Sequence, residues 1–260
     1  MNNFADKVVL ITGAGSGIGL ATAFKLAESG ASLALVDRNE NKLAAARQAI
    51  ADRAPDADVI TVAADVSEEA AVERFVQATI DRFGRIDGLF NNAGIEGAQN
   101  NTEDYASDDF DEVVRINLNG VFYGLKHVLP VMRQQHSGAI VNTASVAGMR
   151  GFGGMAGYAA SKHGVIGLTR NAAMENAADG IVVNAIAPGV IRTPMVDSAL
   201  AKMNPDEPQQ AEKDLLAHNP AGRMGRPEEV ANVVAFLLSG EASFVNAVVI
   251  PIDGGQSYRY

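Results

Sequence analysis

Three side chains in the stretch Thr143 to Lys162, TASVAGMRGFGGMAGYAASK, have the types and spacing to move a proton on and off an oxygen. Tyr158 and Lys162 stand four residues apart, so on a helix they share a face and the ammonium lies within reach of the phenol. A phenol with a pKa of about 10 exchanges protons poorly at neutral pH. A cation beside it favours the phenolate and brings it toward the working range. Ser145, just past an apolar run at Ala139 to Val141, would offer a hydroxyl to the oxygen that gains or loses the proton. Taken alone, the Tyr-x-x-x-Lys pair fits a half-buried tyrosine beside a solvated lysine equally well. What lies upstream decides between them.

A buried strand is predicted over Lys7 to Thr12, and it runs into Gly13-Ala14-Gly15-Ser16-Gly17-Ile18-Gly19. A helix follows, ending near Gly30. Glycines between a strand and a helix permit a tight turn and a close approach to a pyrophosphate, which the free N–H groups and dipole of the helix would hold. At the end of the next strand, Ser32 to Val36, stands Asp37, 24 residues beyond Gly13. Its carboxylate suits the two hydroxyls of an adenosine ribose and repels a 2′-phosphate, which points to NAD. Ser16 agrees, whereas the neighbouring Arg38 is a cation able to swing over a phosphate. A solvated turn aspartate is the bland alternative for Asp37.

The elements that must position these residues alternate between two periods. Strands are expected at Val59 to Ala63, Gly88 to Phe90, Ala139 to Thr143, Ile181 to Ala187 and Ala247 to Ile250. Helices are expected over about Glu40 to Asp52, along the stripe Val72, Phe75, Val76, Thr79, Ile80 and Phe83, over about Asp108 to Gln134, from Tyr158 to about Ala178, and over Pro227 to Leu238. Residues 193–222 are polar, helix-prone and Met-bearing. With no repeat and no glycine- and serine-rich linker, the 260 residues read as one α/β domain, a Rossmann-type doubly wound parallel sheet of about seven strands with helices on both faces and a substrate-lid region at about 190–222.

Composition narrows the classes. A net charge of −10 with scattered acidic residues argues against nucleic acid and anionic membrane surfaces as partners. The absence of cysteine removes disulfides, thiolate nucleophiles and cysteine metal sites. His127, His136, His163 and His218 lack paired metal spacing, and hydride transfer needs no metal. Ser145 does not sit in a Gly-x-Ser-x-Gly elbow, so hydrolase chemistry is disfavoured. The amino terminus runs straight into a strand, and no apolar run approaches the roughly 20 residues that span a bilayer, so a cytoplasmic protein is expected. Met149, Phe152 and Met155 either line a substrate wall or are ordinary packing.

Over essentially its whole length the chain resembles the short-chain dehydrogenase/reductase family. The resemblance rests on Thr12-Gly13 with Gly17-Ile18-Gly19, Asp65-Val66, Asn91-Asn92-Ala93-Gly94, Asn117 within RINLNG, Ser145, Tyr158 to Lys162, Asn184 within VNAIAPG, Pro188-Gly189, Thr193 and Asp253-Gly254-Gly255. It implies that Tyr158 is the general acid-base, that Lys162 lowers its pKa and holds the nicotinamide ribose, and that Ser145 binds the substrate oxygen. Asn117 would anchor a water linking Lys162 to solvent, and Asp65 would meet the adenine amino group. The Asn91, Ala93 and Gly94 loop would pass the adenine ribose, and Thr193 would hold the nicotinamide carboxamide beside Val190, Ile191 and Met195. Within the family, EGAQN at 96–100, NTASVAGMRG at 142–151 and VVIPIDGGQS at 248–257 are similar to members acting on a small cyclic ketone or diketone. A 3-oxoacyl-thioester or acetoin/diol-type reductase is the alternative within the family, and a non-catalytic dinucleotide sensor the alternative outside it. The family also implies a homotetramer, paired through helices at 108–134 and 157–178 and through the QSYRY tail.

Overall fold

A computed structural model describes residues 4–217 and 219–258, so His218 and the last two residues of the QSYRY tail lie outside the described residues. Seven parallel strands form one sheet: β1 (Val8–Thr12), β2 (Ser32–Asp37), β3 (Val59–Ala63), β4 (Gly88–Asn91), β5 (Gly138–Thr143), β6 (Ile181–Pro188) and β7 (Val249–Ile252). Their order is β3-β2-β1-β4-β5-β6-β7. The chain winds outward from β1 to β3, then returns to the other side of β1 at β4. Such a reversal opens a crevice at the carboxyl ends of β1 and β4, where ligands of doubly wound sheets bind.

Alternation along the strands builds two cores. Val9, Ile11, Leu33 and Leu35 turn to one face, under helices α1 (Gly17–Ala27), α2 (Glu40–Arg53) and α9 (Pro227–Leu238). Leu10, Ala34 and Val36 turn to the other, under α3 (Glu69–Phe83), α5 (Gly120–Gln135) and α6 (Ala156–Asn176). Burial on both faces is why these strands read as continuous apolar runs.

The structure corrects the sequence reading in two places. The helix expected over 108–134 is α4 (Ser107–Val114) and α5 joined by a wide π turn, Arg115–Asn119, which carries Asn117. The last strand begins two residues late. Asn246 Oδ1 accepts from the N–H of Val183 at 2.8 Å, and Ala247 takes a positive φ of 61° while its own N–H still donates to the Val183 carbonyl at 3.0 Å, so the extended strand register begins only at Val249. The helix-prone stretch after β6 holds α7 (Pro194–Met203) and α8 (Pro208–Leu216), tied together by Arg192, which bonds both Asp197 and Glu212.

Candidate active site

The glycine loop is shaped by what it touches. Gly13 has φ +65°, and a Cβ there would lie 2.9 Å from Ala93 Cα; at Gly19 it would lie 2.2 Å from the Gly13 carbonyl oxygen. The Gly15 N–H donates to Asp37 Oδ2 at 3.0 Å, so the loop and the acid at the end of β2 are fixed to each other. Gly17 faces the opposite wall, where a Cβ would meet Thr193 Cγ2 at 3.2 Å. Ser16 precedes α1 in extended conformation and makes no side-chain capping bond, leaving the first N–H groups of the helix open to a ligand. A cradle that any Cβ would fill, ending on free helix N–H groups, fits a dinucleotide pyrophosphate.

At the adenine end, Asp37 Oδ1 also accepts from the Asn39 N–H at 3.0 Å. Burial works to raise Asp65, but hydrogen bonds from Ser67 and the charges of Arg115 and Arg38 outweigh it and hold the carboxyl below its ordinary value. Arg38 therefore already has an electrostatic partner in Asp65. Val66 is buried beside Gly120, where a Cβ would be 2.9 Å from Val66 Cγ2.

The Asn91-Asn92-Ala93-Gly94 segment does different work from residue to residue. Asn91 turns into the core, donating to Asn142 Oδ1 at 3.0 Å, while Asn142 donates to Thr169 Oγ1 at 3.0 Å. Only its backbone is left for a ligand. Asn92, which sequence reasoning did not select as a binding residue, ties the segment to the glycine loop by donating to the carbonyls of Thr12 (3.1 Å) and Gly13 (3.3 Å). In return Thr12 Oγ1 accepts from the N–H groups of Asn92 (3.0 Å) and Ala93 (3.1 Å). The repeated asparagines were the available signal, since buried polar side chains require partners.

Gly94 brings the reacting groups together: a Cβ there would stand 3.0 Å from Asn117 Oδ1 and 3.5 Å from Lys162 Nζ. Asn117, fully buried, clamps the backbone of Ile95, accepting from its N–H and donating to its carbonyl, both at 2.8 Å. Both side-chain atoms are thus engaged by protein. Ser145 stands close enough to the Tyr158 phenol for its hydroxyl to favour the phenolate, and its Oγ accepts from the Ala147 N–H at 3.1 Å. Lys162, 3% exposed, donates to the Thr143 carbonyl at 2.7 Å, with its ammonium 5.6 Å from the centre of the Tyr158 ring.

The electrostatics differ from the simple expectation of a lysine-depressed phenol. Burial raises Tyr158 above its ordinary value, the Ser145 hydrogen bond opposes this, and the charge of Glu96 adds to it. Burial also lowers Lys162 to about 8. A buried cation is itself costly, and its nearest partner is a carbonyl rather than the phenolic oxygen. In the protein alone the tyrosine therefore stands above its ordinary value and the lysine below its own.

Past β6, Gly189 packs against Asp253 and Gln256, its hypothetical Cβ 2.7 Å from Gln256 Oε1. Pro188 ends the strand. Val190 packs with the small cluster of α7 and α8, Ile191 is buried in the main core, and Met195 is 42% exposed at the start of α7. Thr193 caps α7 through Oγ1, which accepts from the Val196 N–H at 3.4 Å. Met155 is buried, whereas Met149 is exposed.

A family model described as enoyl-(acyl carrier protein) reductase matches residues 13–257. Levodione reductase of Leifsonia aquatica is 58% identical over 257 residues, 99% of this chain and 96% of the relative. The chain belongs to the short-chain dehydrogenase/reductase family. It is an oxidoreductase of that family. A crystal structure of levodione reductase superposes with a TM-score of 0.98, covering 99% of this chain and 100% of that one. Cyclohexanol dehydrogenase of Acinetobacter sp. (strain SE19) is 41% identical over 259 residues, 99% of this chain and 98% of the relative. NAD+-bound xylitol dehydrogenase gives a TM-score of 0.91 at 41% identity, covering 97% of this chain and 99% of that chain. Among the described residues no helix is long and apolar enough to cross a membrane.

Proposed function

We propose that this short-chain dehydrogenase/reductase interconverts a secondary alcohol and a ketone with NAD(H), acting on a small cyclic ketone or diketone. The observation that carries the reading is the convergence of Ser145 on the Tyr158 phenol with Lys162 and Asn117 packed behind Gly94. NAD(H) would lie from Asp37 along the glycine loop to Thr193, and it supplies or takes the hydride at the substrate carbon. In reduction Tyr158 gives its proton to the carbonyl oxygen as the carbon–oxygen double bond becomes single; in oxidation it takes that proton back. Ser145 donates to the same oxygen and stabilises the charge that develops there. Lys162 protonated beside the site favours phenolate, and Asn117 holds the Ile95 backbone that borders the cleft.

The cyclic substrate rests on similarity to levodione reductase and cyclohexanol dehydrogenase. The stretch 190–222 would serve as the lid of a single domain. A homotetramer in the cytoplasm completes the proposal, its assembly supported by large apolar side chains left exposed on α5 (Phe122) and α6 (Met174) and at Phe244 before β7. The test is purified protein with NADH and a panel of cyclic ketones, acetoin and a 3-oxoacyl thioester, followed at the nicotinamide absorbance. Oxidation of NADH by the cyclic ketones is expected. Turnover of the thioester alone would move the assignment to that class, and binding of NADH without any turnover would leave a sensor.

A further inference from the structure

Glu96 is held at the mouth of the reacting groups with no structural task that accounts for it. Its segment is pinned at both ends: Ile95 by the double hydrogen bond to Asn117, and Asn100 by its N–H donating to the Gly154 carbonyl at 2.9 Å. Residues 95–100 thus bridge from the π turn to the loop that leads into Tyr158, and Gly97 and Gly157 both crowd the Tyr105 hydroxyl, at 3.2 Å from a Cβ on either. The backbone that carries Glu96 is thereby held in place. Glu96 is half-buried, close enough to Tyr158 for its charge to act on the phenol, and it feels the charge of Lys202 on α7.

Its hydrogen bonding is incomplete. Gln99 Nε2 donates to Oε1 at 3.0 Å, and among the described residues Oε2 accepts no hydrogen bond. A carboxylate here also works against catalysis, because negative charge near Tyr158 disfavours phenolate. Burial raises the Glu96 carboxyl above its ordinary value, against the Gln99 hydrogen bond and the charge of Lys202, so it is being held in surroundings that do not suit it. A group that is half-desolvated, half-satisfied and unhelpful to the proton transfer is explained by a ligand that completes it.

We propose that Glu96 binds substrate, its free carboxylate oxygen accepting a hydrogen bond from a second hydroxyl, so that the enzyme prefers small cyclic diols and hydroxyketones over mono-oxygenated rings. This rests on the reaction proposed above and adds a choice among its substrates. A hydroxyl donates to a carboxylate; a bare ring methylene leaves it desolvated and unpaired, and a site built around a hydrogen bond rejects the analogue that lacks it.

The experiment compares cyclohexanol with 1,2-, 1,3- and 1,4-cyclohexanediol as alcohols with NAD+, in the parent and in Glu96→Ala and Glu96→Gln. The expected parent favours at least one diol over cyclohexanol by roughly 10- to 100-fold in kcat/KM, the range of a hydrogen bond to a charged group. Glu96→Ala should erase that ratio mainly by raising KM for the diols, while cyclohexanol oxidation does not fall, because the charge that disfavours the Tyr158 phenolate is gone; Glu96→Gln should lie between the two, since its carbonyl still accepts. A parent that oxidises cyclohexanol but shows no diol advantage overturns the proposal, as does an alanine variant that loses both activities equally. The parent ratio stands even if a variant fails to fold. A parent that oxidises no ring alcohol refutes the wider reading instead.

Discussion

Replacing Asp37 with Asn isolates the charge that selects the cofactor. The carboxylate does two things: Oδ2 holds the Gly15 N–H at 3.0 Å, and its charge faces the position of an adenosine 2′-substituent. Alanine would remove both, loosening the glycine loop and lowering activity with either cofactor. Asparagine keeps an acceptor of nearly the same shape for Gly15 and removes only the charge. Two like charges about 4 Å apart cost about 1 kcal/mol at the dielectric of water and about 4 kcal/mol at an effective value of 20. For a half-buried side chain about 2 kcal/mol is a reasonable middle value, or roughly a 30-fold change in preference. Arg38, next to Asp37 in the chain and with its charge acting on Asp65, supplies a cation toward which an incoming phosphate would be drawn once Asp37 is neutral. Initial rates with NADH and NADPH at saturating ketone give the ratio of kcat/KM. The parent should favour NADH, and Asp37→Asn should shift the ratio toward NADPH by about 10- to 100-fold at low salt, less at high salt. A parent that favours NADPH, or a variant ratio within about threefold of the parent, refutes the reasoning.

Tyr158→Phe should cost about 10²- to 10⁴-fold in kcat with NADH binding retained, and activity within about threefold of the parent would remove the tyrosine from its role. Lys162 is lowered to about 8 from 10.5, so the folded state holds fewer protons than the unfolded chain between those values. Stability therefore rises with pH across that window, and below about pH 8 a costly buried ammonium remains. The shift is worth about 3 kcal/mol and the lost bond to Thr143 about 1–2, so Lys162→Met should be inactive yet more stable than the apoprotein parent by about 1–2 kcal/mol at pH 7, measured by urea unfolding. An equal or lower midpoint at pH 7 counts against it. Asp87 ties the start of β4 to β1, accepting from Arg85 at 2.7 and 2.8 Å, Lys7 at 3.2 Å and the Val8 N–H at 3.0 Å. Burial opposes these contacts, which still hold the carboxyl below its ordinary value, so its stabilisation is complete above about pH 4 and is lost as pH falls through the folded pKa. Asp87→Asn should lower stability at pH 7 by about 1–2 kcal/mol, and the gap should close toward pH 2; a gap that does not change with pH would contradict the assignment.

Much of this was readable along the chain, because it depends on local rules. Strands buried on both faces are continuous apolar runs, so β1, β2 and β5 announced themselves; Gly13, Gly15, Gly17 and Gly19 between β1 and α1 marked a backbone that must approach something closely. The spacing of Tyr158 and Lys162 is a property of one helix. What the chain alone did not decide depends on groups far apart in it. Within the π turn at 115–119 Asn117 meets Ile95, 22 residues earlier, and no periodicity records that encounter. Asn91 and Asn92 look alike in sequence, but one faces Asn142 in the core and the other spans Thr12 and Gly13, a division set by which side of β4 each residue leaves on. The sign of the Tyr158 shift came from burial and from Glu96, and Lys162 pointed to Thr143 rather than to the phenol. Electrostatics act through space and hydrogen bonds through contact, so only the folded chain fixes how charged these reacting groups are.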